Sequence, residues 1–109
     1  MIVKLEDLRA VLTAGQDFID SKGLYDYDCA QPFMRANKCA ASITTKADVE
    51  KLYWAVWYLM DNAVRTIDWS DDKLYDLACA CGDLKQRFEL NLPLNMPIPL
   101  DVYTYWTDE

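Results

Sequence analysis

The chain has 109 residues, 52% of them hydrophobic and 13% aromatic, and its 18 acidic and 11 basic side chains give a net charge of −7. The length predicts one domain over residues 1–109, and the composition excludes a disordered chain. The acidity argues against direct nucleic-acid binding, because surfaces that bind phosphates carry an excess of lysine and arginine. It favours a basic protein partner, or it serves solubility alone.

The N-terminus becomes charged at Lys4, too early for a secretory signal peptide, and the longest apolar run, residues 52–60, is too short to cross a bilayer. We therefore expect a cytoplasmic protein with no membrane partner. In that compartment the four cysteines are expected to be reduced structural thiols, with disulfides or a shared metal as weaker alternatives. Their C-x9-C and C-x-C spacing and the absence of histidine do not favour a metal site or another cofactor: Cys29, Cys39, Cys79 and Cys81.

Apolar residues at three- and four-residue steps predict a first helix over residues 5–21. Gly15 lies on its apolar stripe, where it would let another helix approach closely. Gly23 is expected to end this helix in the left-handed conformation. Residues 24–28 then alternate aromatic and acidic side chains, a pattern that fits either a solvated connector or a recognition surface for arginine and lysine.

A second helix is expected to begin near Pro32, which suits a first turn, and to continue through Ile43. Between residues 29 and 47 the chain places three of its 11 basic residues and none of its 18 acidic ones. The charge of the domain is therefore lopsided. Ala36 and Ala40 leave room for bulky neighbours. We therefore expect this helix to lie against the aromatic side of the helix that follows it in the chain.

The longest segment without glycine or proline that keeps a helical period predicts a third helix over residues 46–67, with Thr45 as its N-cap. Trp54, Trp57 and Tyr58 fall outside its apolar stripe, so the helix is apolar nearly all round. Such a helix is typically buried by several neighbours, and we expect it to be the central one. The stripe itself consists of Val49, Leu52, Val56, Leu59 and Ala63.

Ser70 is expected to cap a fourth helix, with Asp71 and Asp72 in its first turn. The helix is expected to end at residues 89–91, because Pro93 forbids continuation. Its apolar residues recur at a 3-4-3-4 spacing and form a seam suited to pairing with the third helix: Leu74, Leu77, Cys81, Leu84 and Phe88.

The tail, residues 92–109, contains three prolines that hold it extended, and its apolar residues alternate. We expect a strap packed across the helices; the alternative is an exposed segment that meets a partner or a second copy. The predicted fold is therefore all-α, with four helices around a central aromatic-rich helix and an extended C-terminal strap. An α+β fold with a short C-terminal hairpin is the alternative.

Enzymatic machinery is hard to find in this sequence. The absence of histidine excludes the usual Ser-His and Cys-His nucleophile pairs, and the three separated glycines form no phosphate loop. A carboxylate pair among residues 68–76 would be needed for acid–base chemistry, but a turn and a helix N-terminus explain those aspartates more simply. We predict a protein that is not an enzyme and needs no cofactor.

Acidic residues gather around residues 17–28, 61–76 and 101–109. If two of these groups share a face, they form an acidic patch interleaved with tyrosines that imitates a nucleic-acid backbone. Small acidic inhibitors carried by phages and mobile elements follow this design, which is an analogy of size and charge alone. We therefore predict an inhibitor or regulator of a basic, nucleic-acid-handling protein. The predicted partner-binding residues are Tyr25, Asp26, Tyr27, Asp28, Asp68, Asp71, Asp72, Tyr75 and Asp76.

The competing hypothesis is an apolar interaction module, most simply a homodimer. The surplus of large aromatic residues motivates it, and the contact surface would be the tail or the side of the third helix that carries Trp54 and Trp57.

Overall fold

The computed structural model describes residues 3–63 and 71–90 of the chain. In this part of the chain there are four α-helices and no strand: α1 (Leu5–Lys22), α2 (Gln31–Lys38), α3 (Lys46–Ala63) and α4 (Asp72–Arg87). The predicted all-α class is confirmed. No helix within these residues combines the length and the apolar character that a bilayer crossing requires.

Helix α1 matches its prediction to within a residue and ends as expected at Gly23, whose φ of 64° lies in the left-handed region. The N–H of Leu24 donates to the carbonyl of Ile19 at 3.1 Å, and the side chain of Leu24 is buried. The N–H of Gly23 donates to the same carbonyl, so both residues after the helix satisfy its last turn and set the direction in which the chain leaves it.

Helix α2 is shorter than the sequence predicts. It ends at Lys38 instead of continuing through Ile43, and residues 40–42 form a separate 3₁₀ turn. Phe33 of α2 is fully buried, and its ring lies over Gly15 of α1. A Cβ on Gly15 would come within 2.2 Å of the Phe33 Cζ atom, so the close approach predicted for this glycine is confirmed.

Helix α3 begins with a reciprocal cap. The N–H of Asp48 donates to the Thr45 hydroxyl at 3.2 Å, and the N–H of Thr45 donates to the Asp48 carboxylate at 3.0 Å. Val49, Leu52, Val56 and Leu59 of the predicted stripe are buried. Residues 64–67, which the sequence assigns to the same helix, lie outside the described residues.

Two aromatic residues of α3 are buried side by side. Tyr53 and Trp54 are each 5% exposed, and their rings meet edge to face with centroids 5.6 Å apart. Trp57 and Tyr58 are partly buried against the same core. The predicted C-terminal strap that would cover this side lies outside the described residues.

Helix α4 begins one residue later than predicted. Asp71 is its N-cap and not a first-turn residue, because the Asp71 carboxylate accepts from the N–H groups of Lys73 and Leu74 at 3.0 and 3.1 Å. Ser70, the predicted cap, lies outside the described residues. The predicted seam is confirmed, since all five of its members are buried: Leu74, Leu77, Cys81, Leu84 and Phe88.

Helices α1 and α4 make the most extensive helix–helix contact among the described elements. They run antiparallel: Lys22 of α1 pairs with Asp71 of α4 at one end, and Asp7 pairs with Arg87 at 3.4 Å at the other. The seam of α4 therefore serves α1 as well as α3, the helix that the sequence predicted as its partner. This pairing sets the C-terminus of α1 beside the N-terminus of α4.

Candidate protein-binding surface at one end of the α1/α4 pair

The ion pair between Lys22 and Asp71 brings two acidic stretches of the sequence to the same end of the molecule. One stretch is the last turns of α1 with the loop that follows, and the other is the first turns of α4. We call this region the acidic end. Its charged groups, seven aspartates against Lys22 and Lys73, are Asp17, Asp20, Asp26, Asp28, Asp71, Asp72 and Asp76.

Asp71 holds this end together. Besides capping α4, its carboxylate accepts a hydrogen bond from the ammonium of Lys22 on α1. The bond from Lys22 and the two helix N–H donors stabilise the ionised carboxylate, and together they hold the pKa of Asp71 below its ordinary value. Among the predicted partner-binding residues that the structure describes, Asp71 is thus the one whose charge is engaged by another side chain.

A chain of side-chain hydrogen bonds fixes the loop after α1. The Tyr25 hydroxyl donates to Asp20 at 2.5 Å, and the Gln16 amide donates to the same Asp20 oxygen at 2.9 Å. The Asn37 amide of α2 in turn donates to Gln16 at 3.1 Å. These bonds favour ionised Asp20, so its pKa is lowered, chiefly by Tyr25 and then by Gln16. The pKa of Tyr25 is raised for the same reason.

Gln31 holds the backbone of this loop from the other side. Its side-chain amide donates to the carbonyl of Tyr25 at 2.7 Å and to the carbonyl of Tyr27 at 3.3 Å. Asp26 stands between these two anchored residues and is exposed. The loop is therefore a fixed structure that presents Asp26 outward, and its geometry fits the recognition-surface interpretation as well as that of a connector.

Three tyrosines of the acidic end are exposed: Tyr25 by 49%, Tyr27 by 53% and Tyr75 by 64%. Tyr75 stands one turn into α4, between Asp72 and Asp76, and its hydroxyl is hydrogen-bonded to Cys79, which raises the pKa of Tyr75. Rings beside carboxylates offer stacking surface next to negative charge. That combination suits the side chains of arginine and lysine.

Asp17, Asp26, Asp72 and Asp76 are exposed and make no hydrogen bond or ion pair through their side chains within residues 3–63 and 71–90. Asp28, also exposed, borders a shallow pocket with Gln31, Pro32, Arg35 and Tyr58, where the acidic end meets the basic α2. The negative charge of this end is therefore largely uncompensated by the described part of the chain.

Asp17 and Asp76 also line a groove between α1 and α4, with a volume of about 320 Å³. Its remaining lining residues are Arg9, Ala10, Thr13, Ala14 and Lys73. The small side chains of α1 leave this space open, because alanine and threonine fill little volume between the two helices.

The ion pair between Lys22 and Asp71 sets the start of α4, with Asp72, Tyr75 and Asp76, beside the end of α1. The loop that carries the other four predicted residues follows that end of α1: Tyr25, Asp26, Tyr27 and Asp28. Asp68 lies outside the described residues. The sequence analysis counted Asp17 and Asp20 in the first acidic group but not among the partner-binding residues, and it did not select Gln31. The available signal was the place of Asp17 and Asp20 in the last turns of α1, but only the antiparallel packing sets Asp17 on the same groove as Asp76 of α4.

The four cysteines are not paired with one another. Within the described residues no three cysteine, aspartate or glutamate side chains converge in a way that could hold a metal ion. No protein-family model matches this chain, and comparison with curated proteins and with solved structures finds no similar protein.

Proposed function

We propose that this protein is a non-enzymatic inhibitor or regulator that docks its acidic end on the nucleic-acid-binding surface of a basic protein. The observation that carries this proposal is the set of exposed tyrosines and of aspartates without a side-chain partner among the described residues, near the junction of α1 and α4. Nucleic-acid-binding grooves are lined by lysine and arginine placed to meet phosphates, and a fixed array of carboxylates meets the same groups.

The two components of this surface support binding in different ways. Unpaired carboxylates raise the association rate through long-range attraction, and this attraction weakens as salt screens it. Exposed tyrosines bury apolar area at little entropic cost, because their rings rotate about few bonds. The hydrogen bonds of Gln31 to the loop and of Asp71 to α4 hold both components in place before a partner arrives.

Displacement of nucleic acid tests the proposal. Purified basic DNA-binding proteins are loaded with a fluorescent DNA duplex, and the anisotropy is followed as the chain is added at low and at high salt. We expect displacement from at least one class of these proteins, weakening steeply as the salt concentration rises.

A charge-matched pair of variants gives the control. Asp26→Asn, Asp72→Asn and Asp76→Asn together remove three charges from the acidic end. Glu6→Gln, Asp83→Asn and Glu89→Gln remove three exposed charges from elsewhere on α1, α4 and the turn after α4. Only the variant with substitutions in the acidic end should lose the ability to displace DNA. Equal losses, or displacement that high salt leaves intact, would refute the proposal.

The homodimeric alternative stays a prediction. Trp54, one of the two residues that mark its predicted contact side, is buried, and the tail lies outside the described residues. No observation on the described residues favours a homodimer over docking through the acidic end.

A further inference from the structure

We propose that Tyr25 positions the loop that follows α1, residues 24–27, and that the neighbours of this tyrosine, Asp26 and Tyr27, meet the basic partner. This inference rests on the proposed function and goes further, because it separates one predicted partner-binding residue, which acts inside the chain, from two that act on the partner. It also assigns the contribution of each tyrosine to a different part of its side chain, the hydroxyl of Tyr25 and the ring of Tyr27.

The hydroxyl of Tyr25 is engaged within the chain. It donates to the Asp20 carboxylate at 2.5 Å, and a hydrogen bond to an ionised carboxylate is stronger than one between neutral groups. Asp20 also accepts from the side-chain amide of Gln16, which accepts in turn from Asn37 of α2 at 3.1 Å. The loop is therefore tied through Tyr25 to α1 and, through two amide side chains, to α2.

The bond from Tyr25 acts on the residues that follow it. The backbone N–H of Tyr27 donates to the carbonyl of Leu24 at 3.1 Å, and Leu24 is buried, so the turn around Tyr25 and Asp26 has a fixed start and end. Among the described residues, the only side-chain hydrogen bond from this turn to α1 is that of Tyr25. The hydroxyl of Tyr25 therefore sets how the turn stands on the helix.

Asp26 and Tyr27 have no such role inside the chain. Asp26 is exposed and Tyr27 is 53% exposed, and neither side chain makes a hydrogen bond or an ion pair within residues 3–63 and 71–90. An exposed carboxylate and an exposed ring on adjacent residues can meet a basic surface by charge and by stacking on arginine or lysine. Tyr25 differs, because its hydroxyl reaches a partner only if the bond to Asp20 breaks.

Substitution of each tyrosine by phenylalanine and by alanine tests the proposal. Binding of octa-arginine to the full chain is measured by calorimetry at one salt concentration, under conditions in which every variant is folded. Because Tyr25 acts through its hydroxyl, Tyr25→Phe and Tyr25→Ala should both weaken binding, by about threefold. Because Tyr27 acts through its ring, Tyr27→Ala should weaken binding about fourfold, and Tyr27→Phe clearly less.

Two aspartates of α1 provide a charge-matched control. Asp20→Asn removes the carboxylate that accepts from Tyr25, whereas Asp17→Asn, one turn earlier, removes an exposed charge that has no side-chain partner among the described residues. Asp20→Asn should weaken octa-arginine binding about threefold, and Asp17→Asn by less than about twofold.

Amide hydrogen exchange of the free chain measures the positioning itself. The N–H of Tyr27 is hydrogen-bonded to Leu24, and it should exchange about tenfold faster in Tyr25→Phe and in Asp20→Asn than in the unmodified chain. Asp17→Asn should leave this exchange rate unchanged. A tyrosine that served global stability alone would change the urea midpoint and leave the affinity of the folded chain as it is.

The outcomes distinguish this proposal from the proposed function. If Tyr25→Phe leaves octa-arginine binding or the exchange at Tyr27 unchanged, or if Tyr27→Ala binds like the unmodified chain, the division of roles is overturned while the acidic end remains a binding surface. Failure of octa-arginine to bind the unmodified chain overturns both. Weaker binding and faster exchange in Tyr25→Phe and Asp20→Asn, with a smaller loss and unchanged exchange in Asp17→Asn, support the positioning role.

Discussion

At the scale of single residues, three glycines in this chain meet three different environments. Gly15 faces the buried Phe33 ring across the α1/α2 contact, Gly23 has a left-handed backbone, and Gly82 faces open space on α4. The same substitution therefore has opposite consequences at different positions, and the difference comes from neighbours that are distant in sequence.

Gly15→Ala is expected to destabilise the protein by about 2 kcal/mol, because the new methyl group would overlap the ring of fully buried Phe33. Urea unfolding followed by circular dichroism measures the change. Combining it with Phe33→Leu should cost less than the sum of the two single changes, since the smaller side chain removes the overlap. Strict additivity would contradict the contact.

Gly82→Ala is the matched control in another helix. It is expected to stabilise the protein by roughly 0.5–1 kcal/mol, because alanine lowers the entropy of the unfolded chain and meets no atom of the described residues within 4 Å. The same urea titration applies. A loss of stability here would mean that α4 has a neighbour on this face that the described residues do not show.

Cysteine reactivity provides a second test at this scale. Burial raises the pKa of the Cys81 thiol to about 12, whereas Cys79, two residues away, is exposed. We expect iodoacetamide at pH 8 to alkylate Cys79 first and Cys81 last, because the thiolate is the reactive form. Mass spectrometry of samples taken over time gives the order in which the cysteines are alkylated. In urea, where the chain is unfolded, this difference in order should disappear. Early labelling of Cys81 would place it outside the seam.

At the scale of elements, helix ends do more than stop the helices. α4 is capped by Asp71, which also pairs with Lys22 of α1. The helix ends in a Schellman motif in which the Leu90 N–H donates to the Lys85 carbonyl at 2.9 Å. The left-handed residue of this motif is Glu89, with φ of 52°, where α1 uses Gly23. The cap at the start of α4 and the left-handed residues at the ends of α1 and α4 thus fix where the neighbouring segments of the chain start.

The cap and ion pair of Asp71 predict an acid-sensitive contribution to stability. Its folded pKa is lowered, so the contribution is fully present above the unfolded value of about 3.9 and is lost as the pH falls through the lower folded value. Asp71→Asn keeps a capping oxygen but loses the charge. In urea unfolding, its deficit relative to the unmodified chain should therefore be clear at pH 7 and shrink in strong acid. A deficit independent of pH would contradict this account.

At the scale of the whole molecule, charge is distributed unevenly. The acidic end holds seven aspartates and two lysines, whereas α2 carries Arg35 and Lys38 and no acidic residue. Like charges gathered at one end repel one another in the folded state, and the open chain relieves that repulsion. The charges that form the proposed binding surface therefore also carry an electrostatic cost to the stability of the folded state.

Salt should therefore stabilise this protein. Raising NaCl from about 20 mM to about 500 mM shortens the Debye length to a few ångströms and screens the aspartates from one another. We expect the Tm to rise, and to rise less when Asp26, Asp72 and Asp76 are replaced by asparagine. Differential scanning calorimetry measures both. A falling Tm would show that salt bridges outweigh the repulsion.

Local signals in the sequence were sufficient to predict much of the fold. The seam from Leu74 to Phe88, the stripe of α3, the end of α1 at Gly23 and the cap at Thr45 follow from helical period and capping chemistry. α2 was predicted too long, because its alanines are permissive for helix while the break after Lys38 has no glycine or proline to mark it.

The candidate site could be predicted only in part. The sequence by itself determined the all-α class, the excess of aspartate and the tyrosines among them, because composition and local period are properties of neighbouring residues. Only the tertiary structure decided that the end of α1 lies beside the start of α4, that Asp71 is engaged by Lys22, and that Asp17 and Asp76 line the same groove. These facts depend on the antiparallel register of α1 and α4, which is set by side-chain packing between segments about 50 residues apart and leaves no local trace in the sequence.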